Sequence, residues 1–170
     1  MITRRNFLKA GAAVAALSVV PNGFASILAK KEKAIGVQLY SVRDDLKTDF
    51  DGTMKALVDI GYKRMEAAGY RDGKFYGKSP AEMKKYLADL GARMVGSHTG
   101  SGLLAEGDTK GWDFWKKNAA DTAEVGCKWI VQAGYPSKDI KSLSDVKRLA
   151  DQFNKCGEIA KANGLRFRFP

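Results

Sequence analysis

The chain has 170 residues, of which 45% are hydrophobic and 28% charged, with a formal net charge of +10. That balance excludes a disordered or fibrous protein. The basic residues are spread along the chain with no stripe interleaved with aromatics, which favours a solvated surface over nucleic-acid binding.

The first segment reads as an address. Thr3-Arg4-Arg5-Asn6-Phe7-Leu8-Lys9 is followed by the small-residue apolar run AGAAVAALSVV and then PNGFASILA. That is the n-, h- and c-region order of a secretory signal, and the Arg pair resembles the twin-arginine export motif. The apolar run is about half the ~20 residues a membrane span needs, and no Cys lies near the end of the segment to carry a lipid. The expectation is a twin-arginine signal peptide over 1–29, cut after Ala25 or Ala29. It would be handled by the twin-arginine translocase, reach the periplasm and leave no stable membrane anchor. The alternative is a plain amphipathic helix. Without residues 1–29 the chain loses Arg4, Arg5 and Lys9 and no acid, so residues 30–170 carry +7.

From Ala34 onward one plan repeats. In LVDIGYKRMEAAGY, YLADLGARMVGSH, TAEVGCKWIVQAGY and IAKANGLRFRF, an apolar helix end meets Gly, then one residue, then Lys or Arg, then a short strand. The glycines Gly61, Gly91, Gly126 and Gly164 are 30, 35 and 38 residues apart, the length of a βα unit. Gly just past a helix closes the C-cap at positive φ without a Cβ clash. The pattern predicts strands at 35–42, 63–69, 93–98 and 129–134, with a fifth beginning at 166.

Between the strands lie helix signals. Met54, Leu57 and Val58 follow Asp51. Ser79-Pro80-Ala81-Glu82 is a capping box with Pro at the first helical position, and Met83, Tyr86, Leu87 and Leu90 form one apolar stripe behind it. Trp112, Trp115, Ala119 and Ala123 mark a third helix. Ser144-Asp145 opens the last, with Val146, Leu149, Ala150, Phe153 and Ala160 as its stripe. The Trp and Met stripes read as core. Cys127 and Cys156 are the only thiols, and their places before a strand and mid-helix favour two buried free thiols over a disulfide. With one His and two scattered Cys, no Cys/His zinc site assembles.

Strand alternating with helix argues a parallel sheet with right-handed crossovers. An open doubly wound sheet wants a Gly-rich phosphate turn after the first strand. Here that turn is YSVRDDLKTD, without Gly, which favours a (β/α) barrel. Helix-to-strand links are two or three residues. The strand-to-helix links RDDLKT, YRDGKFYGK, TGSGLLAEGDTKG and YPSKDIKSL are long. All long loops therefore sit at the C-terminal ends of the strands, where barrels build their active sites. The strand ends there supply Tyr40, Ser41 and Arg43, then Glu66 and Tyr70, Ser97 and His98, and Gln132 and Tyr135. Such rings, amides and carboxylates suit a polyhydroxyl ligand. Each has a structural alternative: a hydrogen-bonded His98, a Glu66 paired with a basic neighbour, Gln38 and Gln132 satisfying interior bonds, and rim packing for Tyr40, Tyr70 and Tyr135.

GVQLYSVRD at the start of the domain, Gly-Tyr followed by MEAAGY, and SHTG closing the third strand resemble the sugar phosphate isomerase/epimerase family of xylose isomerase-like TIM barrels. The resemblance spans Ile35 to Phe167. It implies a (β/α)8 TIM barrel, of which this chain is expected to carry about four βα units and the start of a fifth strand. It implies metal-assisted proton transfer next to a sugar carbonyl. A divalent ion (Mn, Mg, Co or Zn) would be held by Glu, Asp, His and Glu from later strands, leaving no metal ligand in this chain. Within the resemblance His98 and Glu66 are the expected catalytic residues, and Tyr40, Arg43, Tyr70, Gln132 and Tyr135 the expected substrate contacts. Relatives that dehydrate or eliminate from keto-sugars and inositols keep a dehydratase or lyase open.

Family members continue GLRF into a Tyr-His-Asn-His run, whereas this chain reads Arg168-Phe169-Pro170. A complete barrel takes ~250 residues, so the expectation is an N-terminal half that stops before the metal site. A homo-oligomer pairing two halves is the rival. A free sugar is the expected substrate, because the periplasm is poor in sugar phosphates. A non-catalytic carbohydrate-binding protein or an inactive fragment are the alternatives to an enzyme.

Overall fold

The structure, a computed structural model, describes residues 35–169. The expected signal segment 1–29 lies outside the described residues. Five strands form one parallel sheet: β1 (Gly36–Gln38), β2 (Arg64–Ala67), β5 (Arg93–Thr99), β6 (Trp129–Gln132) and β7 (Arg166–Arg168), hydrogen-bonded in the order β1-β2-β5-β6-β7. Two short strands, β3 (Tyr70–Arg71) and β4 (Lys74–Phe75), pair only with each other, so the main strands are sequential neighbours, as in the wall of a barrel.

The helices return between them: α1 (Arg43–Thr48) and α2 (Phe50–Ile60), α3 (Pro80–Asp89), α4 (Thr109–Val125) and α5 (Leu143–Ala162). Gly61, Gly91, Gly126 and Gly164 follow α2 to α5 with φ of 111°, 71°, 98° and 72°. Each of α2 to α5 thus turns into its strand through three residues, and the Gly carries the left-handed step. Ser79 caps α3 as expected: its hydroxyl accepts from Glu82 N–H and the Glu82 carboxylate accepts from Ser79 N–H.

Met54, Leu57, Met65, Ala67, Met83, Leu87, Met94, Trp115, Ala119, Ile130, Cys156 and Ala160 fill the layer between the sheet and the helices. Both thiols are buried and free. Among the described residues no helix is long and apolar enough to cross a membrane.

Four expectations change. The first strand ends at Gln38, because Leu39–Val42 turn as a 3-10 helix that buries Leu39. RDDLKT is α1 rather than a loop, separated from α2 by extended Asp49, whose carboxylate accepts from Gly52 N–H. YRDGKFYGK contains the β3–β4 hairpin, with Asp72 and Gly73 at φ of 52° and 75°, the two positive values that a tight hairpin turn requires. The last helix starts at Leu143 with Ser142 as its cap. Its buried side is Leu149, Gln152, Cys156 and Ala160, while Val146 and Ala150 face solvent.

Candidate functional site

Side-by-side residues of parallel strands point to the same face of a sheet. On β2, Met65 and Ala67 are fully buried toward the helices, so Arg64 and Glu66 point to the opposite, interior face. Gln38 lies beside Glu66 in register. Between β2 and β5 the register slips: Met65 pairs with Met94, but Glu66 pairs with Gly96. Val95 is the extra residue of a β-bulge, which inverts the alternation beyond it. Gly96 and His98 thereby join Glu66 on the interior face, while Ser97 and Thr99 turn to the helices and are buried. The same register carries Trp129, Val131, Arg166 and Arg168 to the interior.

Three side chains from three strands meet there. The Gln38 amide Nε2 donates to Glu66 Oε1 at 2.6 Å and lies 3.0 Å from His98 Nδ1. All three are partly open to solvent. A Cβ on Gly96 would stand 3.4 Å from Glu66 Oε2, so the carboxylate lies directly over Gly96. Farther along the face, Arg168 stacks on the Trp129 ring at 3.9 Å and Arg166 lies 5.3 Å from its centre.

Two cavities open on the rim where the strands end. One, of about 430 Å³, lies at the ends of β1 and β2 against Leu39, Tyr40, Arg43, Ala68, Gly69 and Tyr76. Arg43 stacks on Tyr40 at 4.5 Å and donates from Nη1 to the Tyr40 carbonyl. The Tyr76 hydroxyl accepts from Ala68 N–H, and its ring lies so close to Gly69 that a Cβ there would sit 2.5 Å from it. The other cavity, of about 450 Å³, lies between the loops after β5 and β6 and includes Gly100, Gly102, Tyr135 and Asp139. Gly102 allows the Asp139 carboxylate to approach and accept from Leu103 N–H.

The structure thus brings Glu66 and His98 together, and with them Gln38. Tyr40 and Arg43 form one rim contact and Tyr135 borders the second cavity, 48% exposed. One expected substrate contact, Tyr70, is engaged elsewhere. The Tyr70 hydroxyl donates to Asp121 Oδ2 at 2.7 Å on α4, and Lys117 holds the same carboxylate. Burial, then the hydrogen bond to Asp121, push the Tyr70 phenol well above its ordinary range. Gln132, largely buried, lines the second cavity beside Tyr135 and its amide donates to the carbonyls of Ser101 and Gly134.

Sequence reading missed the support of the mouth. Gln152 on α5 donates to Ser101 Oγ and Gly102 O and accepts from Leu104 N–H. Trp115 Nε1 donates to the same Ser101 hydroxyl. Asn118 donates to Thr99 Oγ1 and accepts from Thr122. A polar residue at a core-spaced helix position was the available signal.

Residues 1–21 match the model of the TAT (twin-arginine translocation) pathway signal sequence, which indicates export across the membrane, to the periplasm or beyond. No curated protein sequence matches the chain. A sugar phosphate isomerase/epimerase from Parabacteroides distasonis superposes with a TM-score of 0.71 at 32% identity, over 84% of this chain and 52% of that one. A second sugar phosphate isomerase/epimerase from the same organism gives 0.65 at 27% identity, over 80% and 54%. D-psicose 3-epimerase, crystallised in the presence of D-fructose, gives 0.53 at 19% identity, over 70% and 45%, a likeness of fold alone. The structural neighbours are sugar phosphate isomerase/epimerase and xylose isomerase-like TIM-barrel proteins, and the fold is the corresponding α/β wall of an incomplete barrel. The chain spans about half the length of the solved structures it matches.

Proposed function

We propose that this chain belongs to an exported sugar isomerase/epimerase-type enzyme, in which it forms the part of the barrel wall that grips the sugar. The observation that carries the reading is the Gln38–Glu66–His98 group on the interior face. Its support is the 32% identity to a sugar phosphate isomerase/epimerase over 84% of this chain. A carboxylate oxygen and an imidazole, held by one amide and left partly open, suit the hydroxyls of a free sugar or keto-sugar. The stacked Tyr40–Arg43 pair at the rim offers an aromatic surface for C–H groups.

The divalent ion that the family resemblance implies takes its ligands from later strands, and the residues described here offer no set to hold it. Among the described residues no three His, Cys, Asp or Glu converge, and His98 Nδ1 is already engaged by Gln38. No step is therefore routed through a metal. The chain's own residues bind and orient the sugar, and Glu66 supplies a carboxylate for proton transfer next to a carbonyl.

Calorimetry with D-fructose and D-psicose, before and after chelation, tests the reading. The expected result is sugar binding that is lost in Glu66→Ala, with binding that chelation leaves unchanged favouring a carbohydrate-binding protein. Absence of binding to every ketose tried overturns it. Sugar bound by the whole protein, without exchange of the proton next to the carbonyl in heavy water, replaces the enzyme with a carbohydrate-binding protein.

A further inference from the structure

We propose that Gln38 is a positioning residue that fixes the tautomer of His98. The imidazole then presents an N–H donor to the ligand beside the free acceptor oxygen of Glu66. The argument is one of hydrogen count. An amide nitrogen carries two hydrogens and offers no lone pair. The Gln38 Nε2 spends one on Glu66 Oε1 at 2.6 Å, so its 3.0 Å contact with His98 Nδ1 uses the other. That contact requires a lone pair on Nδ1. The neutral ring therefore carries its proton on Nε2.

The opposite arrangement is costly. Flipping the amide would set its oxygen 2.6 Å from a carboxylate oxygen, which is repulsive unless Glu66 is protonated. It would also need an Nδ1–H on His98. The amide orientation, the tautomer and the ionisation of Glu66 are thus one linked choice.

The consequence is a division of labour. His98 donates to a ligand oxygen and is not available as a base at Nε2. Glu66 accepts through Oε2, because the Gln38 amide takes Oε1. A donor and an acceptor side by side match two adjacent oxygens, one accepting and one bearing a proton: a vicinal diol or a hydroxyl next to a carbonyl. The ligand class rests on the sugar reading above, whereas the tautomer rests on the geometry alone.

His98 is the only histidine of the full chain, so a long-range proton–nitrogen correlation spectrum of the 15N-labelled protein reads its tautomer without assignment. The measurement is made near pH ~8.5, about two units above the ordinary imidazole value. The wild type is expected to show Nε2–H almost alone. In Gln38→Leu the share of Nδ1–H is expected to rise about fivefold, the ratio one net hydrogen bond supports. Glu66→Gln, which frees the amide to flip, is expected to move it the same way and serves if Gln38→Leu fails to fold. Dominant Nδ1–H in the wild type overturns the proposal, as does an unchanged ratio in the folded variants. Titration with D-fructose separates the two readings. A locked tautomer with no shift for D-fructose or any other ketose tried sinks the sugar reading alone, and a shift without the lock sinks this one alone.

Discussion

Cys127 and Cys156 lie in the layer between sheet and helices, and burial pushes both thiols up to about 12, Cys127 further opposed by the charge of Glu66. Folding therefore keeps protonated a group that ionises near pH ~8.5 when free. The folded value is the higher one, so this contribution is whole below the free-thiol range and is lost as pH rises toward about 12. Stability measured by urea titration is expected to fall between pH ~9 and ~11, with a shallower fall in Cys127→Ala/Cys156→Ala. Alkylation at pH ~8 is expected to be slow until urea unfolds the chain; rapid native labelling of either thiol contradicts the packing. That these thiols are free and buried was legible from their places in the pattern. The face of His98 was not. Plain alternation from Met65 and Met94 would pair Glu66 with Val95 and send His98 to the helices; the bulge at Val95 reverses this, and its one mark in residue type, Gly96 inside the strand, does not say which residue is the extra one. Tyr70 was legible as a strand-end polar group, but Asp121 claims its hydroxyl; Gln132 lines the second cavity while its amide ties the Ser101 and Gly134 carbonyls.

At the scale of elements, the Gly-x-basic turns and the Ser79 capping box were legible because their chemistry is local and they set one conformation each. The β3–β4 hairpin also had its signal, Asp72-Gly73 between Tyr70-Arg71 and Lys74-Phe75, the dipeptide that supplies two positive φ values. Two-residue strands are too short to show alternation, and α1 spans only six residues, under two helical turns. The start of α5 was displaced by one cap, and its stripe was misjudged because Gln152 was passed over as a core residue. Gln152 is 4% exposed and ties the Ser101–Leu104 loop to the helix through three hydrogen bonds. Gln152→Leu keeps the apolar contacts but leaves Leu104 N–H and Gly102 O without partners, at a cost of about 1–3 kcal/mol. Hydrogen exchange at Leu104 is expected to speed up in this variant while that of the β5 strand stays near wild type. Unchanged exchange at Leu104 would remove Gln152 as the support of the mouth.

At the scale of the whole molecule, strand alternating with helix sufficed to infer a parallel sheet with right-handed crossovers, and the absence of a Gly-rich turn after β1 favoured the barrel wall over a doubly wound sheet. The described sheet has two open edges, β1 and β7, flanked by Ile35 at 48% and Phe169 at 44% exposure. Open edges invite pairing with another chain. Against this stand Arg166 and Arg168 on β7 and Arg64 on the same interior face, within a domain of formal charge +7 over residues 30–170. Like charges on an edge and its adjoining face oppose association until salt screens them, over about 10 Å at 0.1 M. Residues 30–170 prepared alone are therefore expected to sediment as monomer at low ionic strength and to associate as salt rises. Arg166→Glu/Arg168→Glu, which places both signs on the face, is expected to associate already at low salt, and salt should then weaken it. The sign of the salt response decides the matter. Association in the wild type that weakens with salt would mean that opposite charges already meet across the contact, and that the basic face is not what holds the open edges apart.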